Sequence, residues 1–433
     1  FFYDSWDVPR EFEETVPQVF PTTAPGSYTQ LENGSIVMTN FYPYQWDLNY
    51  AYPVVFNDMT ENLLYLANRG LDVIRLDAVP YIWKQLGTDC RNLPQVHTLV
   101  RMMRMVCEIV CPSVLLLGEV VMEPAKVAPY FGTPEKPECH MLYNVTTMAT
   151  TWHTLATGDV SLLRRQMDIV CSLPKDFLFL NYLRCHDDIG WGLDYPWLGQ
   201  TAGANEVAHK KFLNDWFTGK RPGSDSRGEL YNDDPRLGDA RLCGTTASLC
   251  GTEAAVYEKD GGKLERSIAC DLTLHAWMLS QSGIPVVYSG DEVGQLNDYS
   301  YHNDPEKRDD SRYIHRGDFQ WDLAQLRTDP ETRQGKLFQG LRRLEQLRAE
   351  EPCFDARADV WALDSGDKRV LVLCRRAEGR ELICLFNFSG DFVHTGVDRD
   401  GRYTELMYGK EYDSVRSLDL WPNSFMWLLK TED

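Results

Sequence analysis

Five short apolar runs, each ending in a polar or charged cluster, constrain this chain more than any other feature. They are DVIRLDAV (72–79), SVLLLGEV (113–120), HMLYNV (140–145), FLFLNYLRCHDD (177–188) and IPVVYSGDE (284–292). Strands that are apolar on both faces belong in a parallel sheet covered by helices on each side. Helix-like sequence separates them. Over 53–68, Val54, Val55, Met59, Leu63, Leu64 and Leu66 recur at the spacing of one helical face, and Gly70 is a stop. Further helices are predicted over 93–110, 161–170, 268–282 and 334–348. Asp77, Glu119, His186–Asp188 and Asp291–Glu292 all fall at or beyond the carboxyl ends of the strands, the face on which (β/α)8 barrels carry their active sites. A doubly wound sheet also binds ligands at strand ends, but its glycine-rich phosphate loop and any Walker-type sequence are absent. The expected fold class is α/β: a partial (β/α)8 TIM barrel, about strands four to eight, with a loop-rich inserted subdomain and a C-terminal all-β sandwich.

The rest of the chain divides around these strands. Residues 1–50 lack any period and read as loop with short strands. Residues 51–352 hold the barrel portion, interrupted at about 192–263 by a stretch rich in turn residues, including TGKRPGSDSRG and EKDGGK. Residues 353–433 change character: VWALD, RVLVLCRR, ELICLFNFS and SFMWLLK are short strands separated by turns, as in a β-sandwich.

Two residues apart on one strand, Arg75 and Asp77 face the same way. A neighbouring arginine favours the ionised carboxylate, which suits a nucleophile. Glu119 ends a strand of aliphatics, where desolvation would favour the protonated acid. Two carboxyl groups in opposed environments are the device of glycoside hydrolysis, and retaining chemistry sets them about 5–5.5 Å apart. Asp187, after His186, is a third. Any one of these is equally a turn or helix-cap residue; four strands ending, in order, in RxDA, E, HDD and GDE are harder to read that way. Such chemistry requires no metal or cofactor, and no compact calcium loop is evident.

At a net charge of −20, from 44 basic and 64 acidic residues, the chain suits neither nucleic acid nor an anionic membrane surface. No apolar run approaches the roughly 20 residues of a membrane span, and residues 1–14 do not read as a signal peptide. The twelve cysteines form no CxxC pair and are expected to be buried, reduced thiols in a cytoplasmic protein.

RLDAV (75–79), the Glu119 strand, CHDD (185–188) and GIPVVYSGDE (283–292) resemble, in order, the signature regions of the alpha-amylase superfamily. FYPYQWDLNY (41–50), YIWKQLGTDCRNLPQVH (81–97), NYLRCHDDIGW (181–191), GDEVGQLND (290–298) and DDSRYIHR (309–316) resemble the amylosucrases within it. The resemblance implies Asp77 as the nucleophile forming a β-glucosyl ester, Glu119 as general acid/base, and Asp187 as the carboxylate that stabilises the transition state. Arg75 would orient Asp77, and His186 would bind sugar hydroxyls. Phe41 would line the glucosyl pocket, Asp188 and Arg241 would contact a second ring, and Arg312 would lie at the pocket floor. It further implies that the superfamily's first region, the first three βα units and a carboxylate partner for Arg312 lie upstream of Phe1. Residues 1–50 would then be the remainder of the domain inserted after barrel strand three, and this chain alone is expected to be inactive or unstable. Lys210 stands where an arginine would hold oligosaccharide, while Trp191, Trp197 and Trp216 could stack on sugars. The implied activity is cleavage of sucrose with glucosyl transfer to an α-1,4-glucan or maltooligosaccharide. The alternatives are a sucrose hydrolase or other α-glucosidase on the same scaffold, and a non-catalytic sugar-binding or truncated relative.

Overall fold

The computed structural model describes residues 1–122, 124–234 and 239–432. Gly238, which opens the GDARLCG stretch, lies outside them. The chain forms two compact units, Phe1–Tyr143 and Asn144–Asp433.

In the first unit, strands Val73–Leu76, Leu115–Gly118 and Met141–Tyr143 are parallel neighbours in that order. Arg75 lies opposite Leu117, and Leu76 opposite Gly118, so Asp77 and Glu119 leave the sheet side by side. Helices Pro53–Asn68 and Pro94–Val110 each begin with proline, whose missing N–H costs nothing in the first turn. The second buries Val96, Leu99, Val100, Met103 and Cys107, a spacing that makes one continuous stripe. Leu63, Ile74, Met103, Cys107, Val114 and Leu116 form the shared core. Burial of each such aliphatic side chain is worth about 1.5–3 kcal/mol. Gly118 is required by close packing: a Cβ there would lie 2.6 Å from the Cys139 sulfur and 2.9 Å from Leu142 Cδ2. The first fifty residues contain the expected short strands, Phe2–Tyr3, Tyr28–Gln30 and Ile36–Met38, plus a helix at Asp7–Glu13 that their sequence does not announce.

The second unit carries parallel strands Leu178–Tyr182 and Ile284–Val286, with Ile284 opposite Leu180. All five predicted parallel strands are therefore present, and no sheet among the described residues closes into a barrel. The stretch at 192–263 corrects its expected loop-rich character. It contains helices Tyr195–Ala202, Glu206–Phe217 and Thr252–Glu258, a hairpin of Glu229–Tyr231 with Arg241–Cys243, and the start of helix Gly261–Leu279. Some of its turn-type residues are caps: Asp194, Asn205 and Asp260 each accept a backbone N–H of the helix that follows, and Gly203 ends one in the left-handed conformation.

Helix Val145–Thr157 is unexpected, since its six threonines disfavour helix by propensity. It is almost wholly buried, and its hydroxyls are satisfied internally. Thr150, Thr151 and Thr154 donate to the carbonyls four residues back at 2.7, 2.8 and 2.9 Å.

The C-terminal segment forms a six-stranded antiparallel sheet and the two-stranded pair Val393–Thr395 with Leu418–Leu420. Val370, Val372, Ile383, Leu385 and Leu428 from the large sheet share one core with Val393, Leu418 and Leu420 from the small one, which is sandwich packing. All twelve cysteines are free thiols, and most are buried. Among the described residues, no helix is long and apolar enough to cross a membrane.

His153, on the threonine-rich helix, has both ring nitrogens buried without a hydrogen-bond partner. Burial, reinforced by His209 and opposed by Asp159, lowers its pKa from 6.5 to about 3. The folded state therefore refuses a proton that the unfolded chain accepts. This contribution to stability is complete above the unfolded pKa of about 6.5 and is lost as pH falls toward the folded value. His153→Leu should flatten the fall in thermal unfolding temperature between about pH 7 and pH 4. An unchanged slope would show that His153 is not excluded from protonation.

Candidate active site

Asp77 follows the last residue of its strand directly, and Glu119 follows the last residue of the neighbouring strand. Between them lies the Arg75 guanidinium. Its Nη1 is 2.5 Å from Asp77 Oδ1 and its Nη2 is 3.2 Å from Glu119 Oε1. Burial works against the charge on Arg75, but Glu119 and Asp77 outweigh it and raise the arginine pKa. Its guanidinium carbon also lies 5.7 Å from the centre of the Tyr143 ring. The sequence paired Arg75 with Asp77 alone; the structure shares it between both carboxylates.

The surroundings of Glu119 also correct an expectation. Its side chain is 19% exposed, against 68% for Asp77, yet it is not simply desolvated. Glu119 Oε2 accepts the backbone N–H of Ala78 at 2.8 Å while Oε1 faces Arg75. Both interactions favour the charged form. Ala78 presents that N–H from a left-handed conformation, with φ of +46°. An L-residue enters this region at a cost of roughly 1–2 kcal/mol. Strain of this kind persists where the surroundings over-determine it, as next to an active site. Ala78 was not singled out in the sequence, because nothing in its side chain signals a backbone role.

Phe41 packs edge-on against Tyr81, with centroids 5.3 Å apart, and tilted against Phe20 at 6.2 Å. The loop holding it is pinned by Asp47, which pairs with buried Lys84 at 3.7 Å; Lys84 in turn donates to the Tyr81 carbonyl at 2.5 Å. Burial lowers the Lys84 pKa against the pull of Asp47.

The second unit gathers His186, Asp187 and Arg312. Asp187 Oδ2 lies 3.2 Å from His186 Nε2, and Oδ1 faces Arg312 Nη1 at 3.4 Å. Asp310 grips Arg312 bidentately at 2.8 and 2.7 Å, so a carboxylate two residues away partners this arginine. The sequence missed Arg316, whose Nη2 is 3.3 Å from Asp187 Oδ1. Cys185, His186 and Asp187 present three donor atoms within 4.8 Å of one another, but two guanidinium groups face the same carboxylate and disfavour a cation there.

Asp188 and Arg241 meet at 3.4 Å. Burial raises the Asp188 pKa, and Arg241 opposes the shift. Asp291 is not a site carboxylate: it is buried and held bidentately by Arg184 at 2.9 and 3.0 Å, with Thr246 donating at 2.9 Å. Lys210 pairs with Glu206 at 2.9 Å and Asp239 at 3.4 Å. Trp191 is core, stacked on Phe217 at 5.8 Å and donating to Asn214, which removes it from the sugar-stacking candidates. Trp197 and Trp216 are half-buried.

Residues 2–183 match the alpha-amylase catalytic domain. The chain is 29% identical over 419 residues to a glucosylglycerate phosphorylase of Spirochaeta thermophila, covering 92% of this chain and 67% of that one. It is 38% identical over 256 residues to the trehalose synthase/amylase TreS of Mycobacterium tuberculosis, covering 59% and 36%. Among solved structures it is similar to the sucrose 6F-phosphate phosphorylase of Thermoanaerobacter thermosaccharolyticum. That likeness has a TM-score of 0.66 at 18% identity, over 95% of this chain and 73% of that one. The trehalulose synthase MutB of Pseudomonas mesoacidophila gives 0.66 at 17%, over 99% and 77%. These structural likenesses carry the fold alone, that of the (β/α)8 fold family with a C-terminal β domain. The chain spans about two thirds or less of the length of the curated relatives it matches.

Replacing Arg75 by methionine leaves two adjacent carboxylates without their shared cation. The loss of stability relative to wild type, read by urea unfolding, should be larger at about 20 mM than at about 1 M salt, which screens the repulsion. Equal losses at both values would mean that the guanidinium does not mediate between them.

Proposed function

We propose that this protein is a retaining enzyme acting on α-glucosides. Asp77 attacks the anomeric carbon and forms a β-glucosyl ester. Glu119 protonates the departing oxygen and then removes a proton from the incoming acceptor. Asp187 hydrogen-bonds ring hydroxyls and stabilises the positive charge that develops on the sugar. Arg75 orients Asp77. It also holds Glu119, so the acid role requires that carboxyl to take up a proton as substrate displaces water or the guanidinium shifts.

The observation that supports this assignment best is the Arg75 guanidinium held between two carboxylates that leave adjacent parallel strands together. A structural ion pair needs one carboxylate; nucleophile and acid/base need two, close together, with their charges managed.

For the donor and acceptor we propose sucrose and an α-1,4-glucan, as the amylosucrase-like stretches imply, with Asp188 and Arg241 contacting a second ring. A specific observation favours a second outcome: curated relatives matching most of this chain are glucosylglycerate phosphorylases. In that case inorganic phosphate takes the glucosyl group and the product is a glucose phosphate.

Incubating the full-length protein with sucrose, glycogen and phosphate, separately and together, distinguishes these. Fructose release with chain growth is the expected result. Glucose phosphate formation would assign it to phosphorolysis, and glucose released in step with fructose would make it a hydrolase. Asp77→Asn should abolish every one of these reactions while leaving thermal unfolding unchanged; retained turnover would remove Asp77 from its role.

A further inference from the structure

His315 is buried in the turn that follows Arg312. The Gly244 N–H donates to its Nδ1 at 3.1 Å, so that nitrogen carries no proton. The ring proton then sits on Nε2, which faces the His186 carbonyl at 3.3 Å. Burial first, then the charges of Arg184, Arg316 and Arg312, push the His315 pKa well down against the pull of that hydrogen bond. The ring is therefore neutral and in one tautomer.

The His186 carbonyl also accepts from Arg316 Nε at 2.6 Å. It belongs to the same planar peptide unit as the Asp187 N–H, so holding the carbonyl fixes the backbone from which the Asp187 side chain departs. His315 is itself anchored from behind. Arg184 donates to its carbonyl at 3.5 Å and is locked by Asp291. On the other side, Ile189 exchanges backbone hydrogen bonds with Leu242 at 2.8 and 2.9 Å, tying the chain after Asp187 to the strand that carries Arg241. No sequence signal marks His315 for this role, because both of its partners are backbone groups.

We propose that His315 is a positioning residue for Asp187: its neutral ring clamps the His186–Asp187 peptide between Gly244 and Arg316, and so directs the Asp187 carboxylate toward the sugar ring. This rests on the assignment of Asp187 as the carboxylate that stabilises the transition state.

Two substitutions separate the halves of the clamp. In His315→Gln the amide nitrogen reaches the Nε2 position and keeps the donor to His186. In His315→Asn the amide oxygen reaches the Nδ1 position, keeps the Gly244 contact and loses the donor. With α-glucosyl fluoride as donor substrate and the full-length protein, His315→Asn should lose about 100-fold in kcat with KM little changed, and His315→Gln should recover at least about tenfold of that. Nitrogen-15 NMR of the wild-type ring should show the neutral Nε2–H tautomer, a readout that needs no turnover. Equal losses in both variants that follow their thermal stability would overturn the proposal, as would a ring protonated on Nδ1. A wild-type protein inert toward α-glucosyl fluoride would instead overturn the α-glucoside assignment, and the ring NMR would still decide whether the clamp exists.

Discussion

A single guanidinium holds two carboxylates, and that pairing follows from the register of two parallel strands. Arg75 lies opposite Leu117, so Asp77 and Glu119, each the next residue beyond its strand, leave the sheet as neighbours. Unpaired, they would repel. Shared with Arg75, the two carboxylates are held side by side, as a nucleophile and an acid/base must be. The surrounding packing maintains the register. Gly118 lets its strand approach Cys139 and Leu142 more closely than any side chain would permit, and the strained Ala78 turns a backbone N–H onto Glu119. Displacing either strand by one residue would break the fork.

A comparable economy governs the Asp187 segment, where buried charge is used for placement. Arg184 and Asp291 are both about 2% exposed and neutralise each other. Removing one partner from such a pair typically costs about 3–5 kcal/mol, because the other is left buried and charged. Their pairing supports the carbonyl of His315, whose ring holds the peptide before Asp187. Two arginines and a histidine then face one carboxylate. The two guanidinium groups, in a chain of net charge −20, mark where that carboxylate is kept in place.

The parallel strands and their terminal carboxylates were legible in the sequence because continuous aliphatic runs have few alternatives, and charges at their ends stand out. Helix Pro53–Asn68 was legible to its bounds because its apolar period and its proline agree. Helix Val145–Thr157 was not: threonine propensity argues against it, and burial with hydroxyls turned onto the preceding turn overrides propensity. The helices within 192–263 were hidden because the same Asp, Asn and Gly residues that mark loops also cap helices. Trp191 suggested a sugar platform by type alone, and its indole N–H satisfied by Asn214 places it in the core. Arg316 and His315 were invisible for a different reason. They act on backbone carbonyls and amides, and a sequence does not show which backbone groups converge.

The central claim is that Asp77 becomes glucosylated while Glu119 manages the protons. Trapping tests it most directly. The full-length Glu119→Gln protein, treated with 5-fluoro-α-glucosyl fluoride, forms the ester through its good leaving group and lacks the base that would discharge it. Peptide mass spectrometry should then find one fluoroglucosyl group, on the peptide containing Asp77 and on that residue alone. The adduct on another carboxylate, or turnover of the same reagent by Asp77→Asn, would contradict the account.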